Sequence, residues 1–218
     1  MRFVFLLLAA QVAPFSTAHA APISVTWTGT VTQAAFDTSL EGQTITGAFT
    51  FDAAGVAPSL FTIGGGQQAL YDTGHVSSFS LAGLSGQHTG QRLTIDNDVF
   101  GRDQLASGNS GSGAYSGDQI NGQDVDQIFV PFRDSSATAF SDIAIPASLD
   151  PADFDFSIAG ALNLGAAGLA DDVLFEVTTF SYSAAAVPLP AGWALALTAL
   201  GTLGIVGRPR RRTARLAG

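Results

Sequence analysis

Carboxylates are the most numerous groups in this chain that could do chemistry. They recur two residues apart at Asp96 and Asp98, Asp124 and Asp126, and Asp153 and Asp155. On an extended strand that spacing sets both side chains on one face. Such a pair can serve as the acid and base of a glycosidase when the two groups stand roughly 5 to 9.5 Å apart and one pKa is raised. It can offer hard oxygen ligands to Ca²⁺. It can also do neither, and form a solvated outer face whose charges discourage edge pairing. We adopt the solvated face as the general reading. Asp96-Asn97-Asp98 is the densest calcium candidate, with Asp124 and Asp126 next.

Other catalytic sets do not assemble. No serine has glycine two residues away on both sides, as a nucleophile elbow requires. There is no cysteine, so a thiol nucleophile, a disulfide framework and a Cys-ligated metal are excluded. There is no lysine for a Walker motif, and no Gly-x-Gly-x-x-Gly opens a helix. His75 and His88 lie thirteen residues apart without the third ligand or the local spacing of a zinc site. They read as surface or loop residues. Trp27 and Tyr71 could stack on sugars, but Trp27 is in phase with apolar neighbours and reads as core. No enzyme is expected.

The elements that must carry these residues read as strands. Ser24 to Thr32 alternates, with Val25, Trp27 and Val31 on one side. Gln43 to Phe51 repeats the pattern through Ile45, Phe49 and Phe51. Shorter runs follow at Val76–Leu81, Arg92–Val99 and Asp124–Phe132, the last apolar on both faces near Phe129 and therefore central. Phe154, Phe156 and Ile158 alternate as in a strand. From Val173 to Tyr182 the inward set shifts from Val173, Phe175 and Val177 to Phe180 and Tyr182, as a β-bulge near Thr178 would cause. Asp150-Pro-Ala-Asp153 reads as one capped helical turn. Gly64-Gly-Gly66 marks a flexible connection. Ser107–Gly122 reads as a long mobile loop, with a recognition loop around Tyr115 or a calcium loop as the alternatives. Seven or more short strands with Gly, Asp and Pro turns predict an all-β fold, an antiparallel β-sandwich of jelly-roll-like type.

The two ends differ from this body. Arg2, the apolar run Phe3–Ala10 and Ala18-His19-Ala20 before Ala21 have the order of a secretory signal, cleaved beside Ala18, Ala20 and Ala21. At the other end stand Val187-Pro188-Leu189-Pro190-Ala191, an uncharged run from Trp193 to Gly207, and the basic residues Arg208, Arg210, Arg211, Arg212 and Arg215. Counted from Val187, that run is about twenty residues, enough to span a bilayer as a helix. The arginines beyond it are a cytoplasmic stop. The organisation is thus a signal peptide over 1–20, a domain over 21–186 and a C-terminal segment over 187–218. All eighteen acidic residues lie in the middle part, against Arg92, Arg102 and Arg133, so its net charge is near −15. A field of that sign repels nucleic acid and anionic lipid and keeps the domain soluble.

The tail resembles the PEP-CTERM sorting signals, in the variant carrying Val-Pro-Leu-Pro-Ala. The resemblance implies export, retention in the inner membrane by the C-terminal helix, and recognition of Val187, Pro188, Leu189, Pro190 and Ala191 by an exosortase-type transpeptidase. The cell surface or the exterior would be the destination. Pro209 and the residues Thr213–Gly218 depart from the pattern. The body looks similar to exported β-rich domains found ahead of such tails, through Trp27–Val31, Gly42–Asp52 and the region from Ile145 to Phe154. Three functions are left: a structural or adhesive matrix component, a carbohydrate-binding module for exopolysaccharide, and, least favoured, a secreted polysaccharide hydrolase. No cofactor is expected beyond calcium.

Overall fold

The computed structural model describes residues 22–52, 55–108, 113–156, 158–164 and 172–184. The signal and sorting residues named above, Ala18, Ala20, Ala21, Val187–Ala191 and Arg208–Arg212, lie outside them. The described residues are all-β. Ten strands run as β1 (Ile23–Ala34), β2 (Thr44–Phe51), β3 (Ser59–Ile63), β4 (Gly66–Leu81), β5 (Leu84–Asn97), β6 (Asp103–Ser107), β7 (Tyr115–Gly117), β8 (Val125–Asp134), β9 (Ala159–Leu164) and β10 (Val173–Ala184).

They form one antiparallel sheet in the order β3-β4-β2-β1-β10-β9-β8-β6-β5-β7, and β4 also pairs with β5. That extra pairing brings the sheet back on itself. The long β4–β5 hairpin achieves it by serving two sets of neighbours. Residues 76–81 of β4 pair with β2, whereas residues 66–70 pair with β3. Likewise residues 86–88 of β5 pair with β7, and 93–96 pair with β6. The register slips between Tyr71 and Ser77 mark the bend.

The alternation in the sequence defines the inner face. Val25, Trp27, Val31, Ile45, Phe49, Phe51, Phe79, Leu81, Leu93, Ile95, Phe175 and Val177 are all buried. Trp27 stacks on Phe175 at 4.9 Å between ring centroids. Phe49 on β2 meets Phe132 on β8 at 6.2 Å, so strands far apart in the sheet order pack across the interior. The β1–β10 register passes from Thr28↔Thr179 to Gly29↔Val177, leaving Thr178 as the extra residue of the expected bulge. β8 lies between β6 and β9, as its two apolar faces require.

Three expectations are corrected. Phe154, Phe156 and Ile158 do not form a strand: Phe156 takes φ +53°, which ends the extended run, and the strand of this region is β9. The segment still contributes rings to the core, with Phe154 and Phe156 edge-on to Phe180. Within Ser107–Gly122, Tyr115–Gly117 pairs with β5 as a strand. The Gly64–Gly65 connection is a tight two-residue turn, both residues at positive φ (+58° and +93°), the geometry that matches strand twist in a hairpin. The Asp150 turn is as expected: Pro151–Asp153 is a single 3₁₀ turn, and Asp150 accepts the Ala152 N–H at 2.9 Å.

Candidate interaction surface

The carboxylate pairs are separated by the strand ends. Asp96 is buried in β5, whereas Asp98 is exposed in the following turn at φ +58°. Asp126 is exposed on β8, and Asp124 precedes that strand and accepts from Gln119 Nε2 at 3.0 Å. Asp153 closes the 3₁₀ turn, and Asp155 accepts from the Ser135 N–H. No pair sits on one face of one strand. Asp96 and Asp126 are on β5 and β8, with β6 between them. Among the described residues, no three His, Cys, Asp or Glu side chains gather as a metal site would need.

Asp96 belongs instead to a row that crosses four strands. Gln68, Asp96, Gln104 and Arg133 stand directly opposite one another in register on β4, β5, β6 and β8. Gln68 Nε2 donates to Asp96 Oδ1 at 2.8 Å, and Arg133 donates from Nε and a terminal nitrogen to Gln104 Oε1 at 3.1 and 2.9 Å. Burial raises the Asp96 pKa, while the Gln68 bond and the positive charges of Arg102 and Arg133 act against that rise. These residues have the parity opposite to Ile95, Leu105 and Phe132, so they lie on the outer face of the sheet.

Continued one strand further, the row ends on Phe61, opposite Gln68 on β3. β3 is the terminal strand of the sheet. It reads Ser-Leu-Phe-Thr-Ile and is exposed over its first four residues, with Leu60 at 62% and Phe61 at 45%. A third exposed apolar residue, Phe100 at 64%, comes from the β5–β6 turn. A Cβ on Gly64 would collide with the Phe100 ring, so the ring covers the β3–β4 turn. The Arg102 guanidinium carbon lies over the Phe100 ring, 5.7 Å from its centroid. Phe100 has φ +54°. A bulky side chain is disfavoured there, and with most of its surface exposed the ring gains little burial in return. Neither local preference nor core packing accounts for Phe100.

The histidines are corrected: both are buried, His75 at 4% exposure and His88 at 5%. His75 Nε2 is 2.6 Å from Ser107 Oγ, and its Nδ1 is 2.7 Å from Thr73 Oγ1. That is the order of nucleophile, base and orienting group. Yet Ser107 is fully buried, and the Phe49 and Phe51 rings flank the imidazole at 5.4 and 6.0 Å. Burial pushes His75 down to about 4, so the ring is neutral at pH 7. The network ties β4 to β6 through the interior. Tyr71 is also no sugar platform: it is buried, and its hydroxyl donates to the Ile143 carbonyl at 2.8 Å. Tyr115 is half-buried, with its hydroxyl on the Asp118 carbonyl.

Sequence reading passed over Leu60, Phe61 and Phe100. Their signals were present: a β-forming run ahead of Gly64-Gly65, and a phenylalanine inside an Asp/Gly turn. Neither reveals exposure: that of Leu60 and Phe61 depends on β3 being an edge, and that of Phe100 on its place in the β5–β6 turn. No family model matches the chain, and neither does any curated protein or solved structure. Among the described residues no helix is long and apolar enough to cross a membrane.

Proposed function

We propose that this is an exported structural or adhesive component of the cell envelope or extracellular matrix, acting by association rather than by turnover. One observation carries the reading: an uncharged edge strand exposes Leu60 and Phe61, and Phe100 is exposed over the turn that follows that strand, in a domain otherwise rich in carboxylates. Exposed apolar edges are the feature that soluble proteins usually blunt with charge or proline. Keeping one is costly unless something docks on it. The export part rests on the two ends of the sequence: the signal over 1–20, and a sorting tail for an exosortase-type transpeptidase with its membrane helix and arginine stop. The fold is read as a jelly-roll-like sandwich. The split partners of β4 and β5 and the Phe49–Phe132 contact across the interior support that reading.

The test is retention. Cells producing the wild type are expected to hold it in the washed matrix fraction, and Leu60→Glu is expected to release at least tenfold more into the medium. Cytosolic wild-type protein, or equal retention of the variant, would overturn the proposal. A second reading, binding of exopolysaccharide, is favoured by the Gln68–Asp96–Gln104–Arg133 row running up to Phe61. It predicts saturable binding on a glycan array, lost in both Phe61→Ala and Phe100→Ala.

A further inference from the structure

We infer that the partner of β3 is β3 of a second copy of this chain, paired antiparallel about a two-fold axis at Phe61. This rests on the associative reading above and names its partner. The β3–β4 turn has two residues, so Ile63 and Gly66 form a hydrogen-bonded pair. Alternation then makes Phe61↔Gln68 and Ser59↔Leu70 hydrogen-bonded pairs as well. The backbone N–H and C=O groups of Leu60 and Thr62 therefore point to the free edge. No other strand among the described residues pairs with that edge.

These free groups are self-complementary. With Phe61 opposite Phe61 of the other copy, Leu60 faces Thr62 and Thr62 faces Leu60. Each such pair exchanges two hydrogen bonds, four in all, and every free group of the strand centre is used. An isologous contact of this kind closes on itself and does not propagate. The two phenylalanines fall at the non-hydrogen-bonded position, where opposed side chains approach most closely.

Charge favours the same occupant. Copies of a domain near −15 repel one another over most of their surface. From Ala53 to Tyr71, however, the sequence has no ionisable acid or base except the Tyr71 hydroxyl, which is buried. β3 lies in the middle of that stretch, so the paired strands themselves bring no carboxylates against each other. A five-residue strand pair buries less than a standard stable interface, so the contact is weak in dilute solution and fills at matrix concentrations.

The absence of cysteine makes the test specific. Full-length chain carrying Phe61→Cys, in mild non-ionic detergent under oxidising conditions, is expected to form a disulfide-linked dimer at least tenfold faster than Val76→Cys. Val76 is exposed at 40% on β4 and serves as the collisional control. A mixture of Leu60→Cys and Thr62→Cys chains keeps Phe61 in place and is expected to cross-link, while Leu60→Cys alone is not, because the two copies of residue 60 lie diagonally apart. Adding Leu60→Glu to Phe61→Cys should reduce its rate to that of the control. Equal rates for Phe61→Cys and Val76→Cys, together with no cross-linking in the mixture, would overturn the pairing. Matrix retention measured on Leu60→Glu would still judge the associative function separately.

Discussion

His75 shows how a single buried side chain ties stability to pH. Its ring is neutral in the fold because burial holds its pKa near 4, against an ordinary value of 6.5. Between those two values the unfolded chain binds a proton that the folded chain does not. Stability therefore rises with pH across this window and is lost as pH falls from about 6.5 toward 4. The full difference is about 3 kcal/mol. Denaturant titrations at pH 7 and pH 4.5 should show that loss in the wild type and a flatter profile in His75→Gln. Asp134 works at lower pH. Burial opposes its charge, but N–H and O–H donors from Ser136, Thr138 and Ala139 outweigh it and hold the carboxyl down at about 2. Its stabilisation is present at neutral pH and is lost only as pH falls below the usual carboxylate range toward 2. Asp134→Asn should cost about 1–3 kcal/mol at pH 7, because one acceptor oxygen becomes a donor facing donors. Unchanged melting of that variant would mean that the loop after β8 is held by other contacts.

At the level of elements, Gly47 pins the β1–β2–β4 register. A Cβ there would strike the Ser78 carbonyl oxygen and the Trp27 ring, and that ring is already stacked on Phe175. Gly47→Ala should destabilise by about 1–3 kcal/mol, measured by urea denaturation, since neither backbone nor stacked indole can yield. The strands around it were legible in the sequence because they are long and their alternation is strong: Val25, Trp27, Phe49, Phe51 and Phe175 all face inward as their period demands. Even the bulge at Thr178 was readable from a one-residue phase shift. β6 and β9 were not. Asp-Gln-Leu-Ala-Ser and Ala-Gly-Ala-Leu-Asn-Leu contain no β-branched or aromatic residue, and they become strands through the neighbours that flank them. The converse error occurred at Phe154–Ile158, where alternating aromatics pack into the core from an irregular segment. Of the candidate surface, the sequence showed the uncharged stretch but not its exposure. The carboxylate spacing suggested shared faces that the ends of β5 and β8 then separated.

For the whole molecule, charge and topology point the same way. An acidic sheet without cysteine depends on its core, and Phe49, Phe132 and Phe180 fill the space between distant strands. Among the described residues, three of the four large exposed apolar side chains, Leu60, Phe61 and Phe100, lie on β3 and the β5–β6 turn, the fourth being Val76 on β4. The proposed function requires that this domain be delivered outside the cell and associate there, with the terminal segments serving the delivery. The most direct check is the intact mass of the protein recovered from the producing cell's envelope and exterior. The proposed delivery predicts a chain that starts at Ala21 and has lost the arginine-bearing terminus. Full-length chain of 218 residues, found in the cytosol with both ends intact, would contradict it.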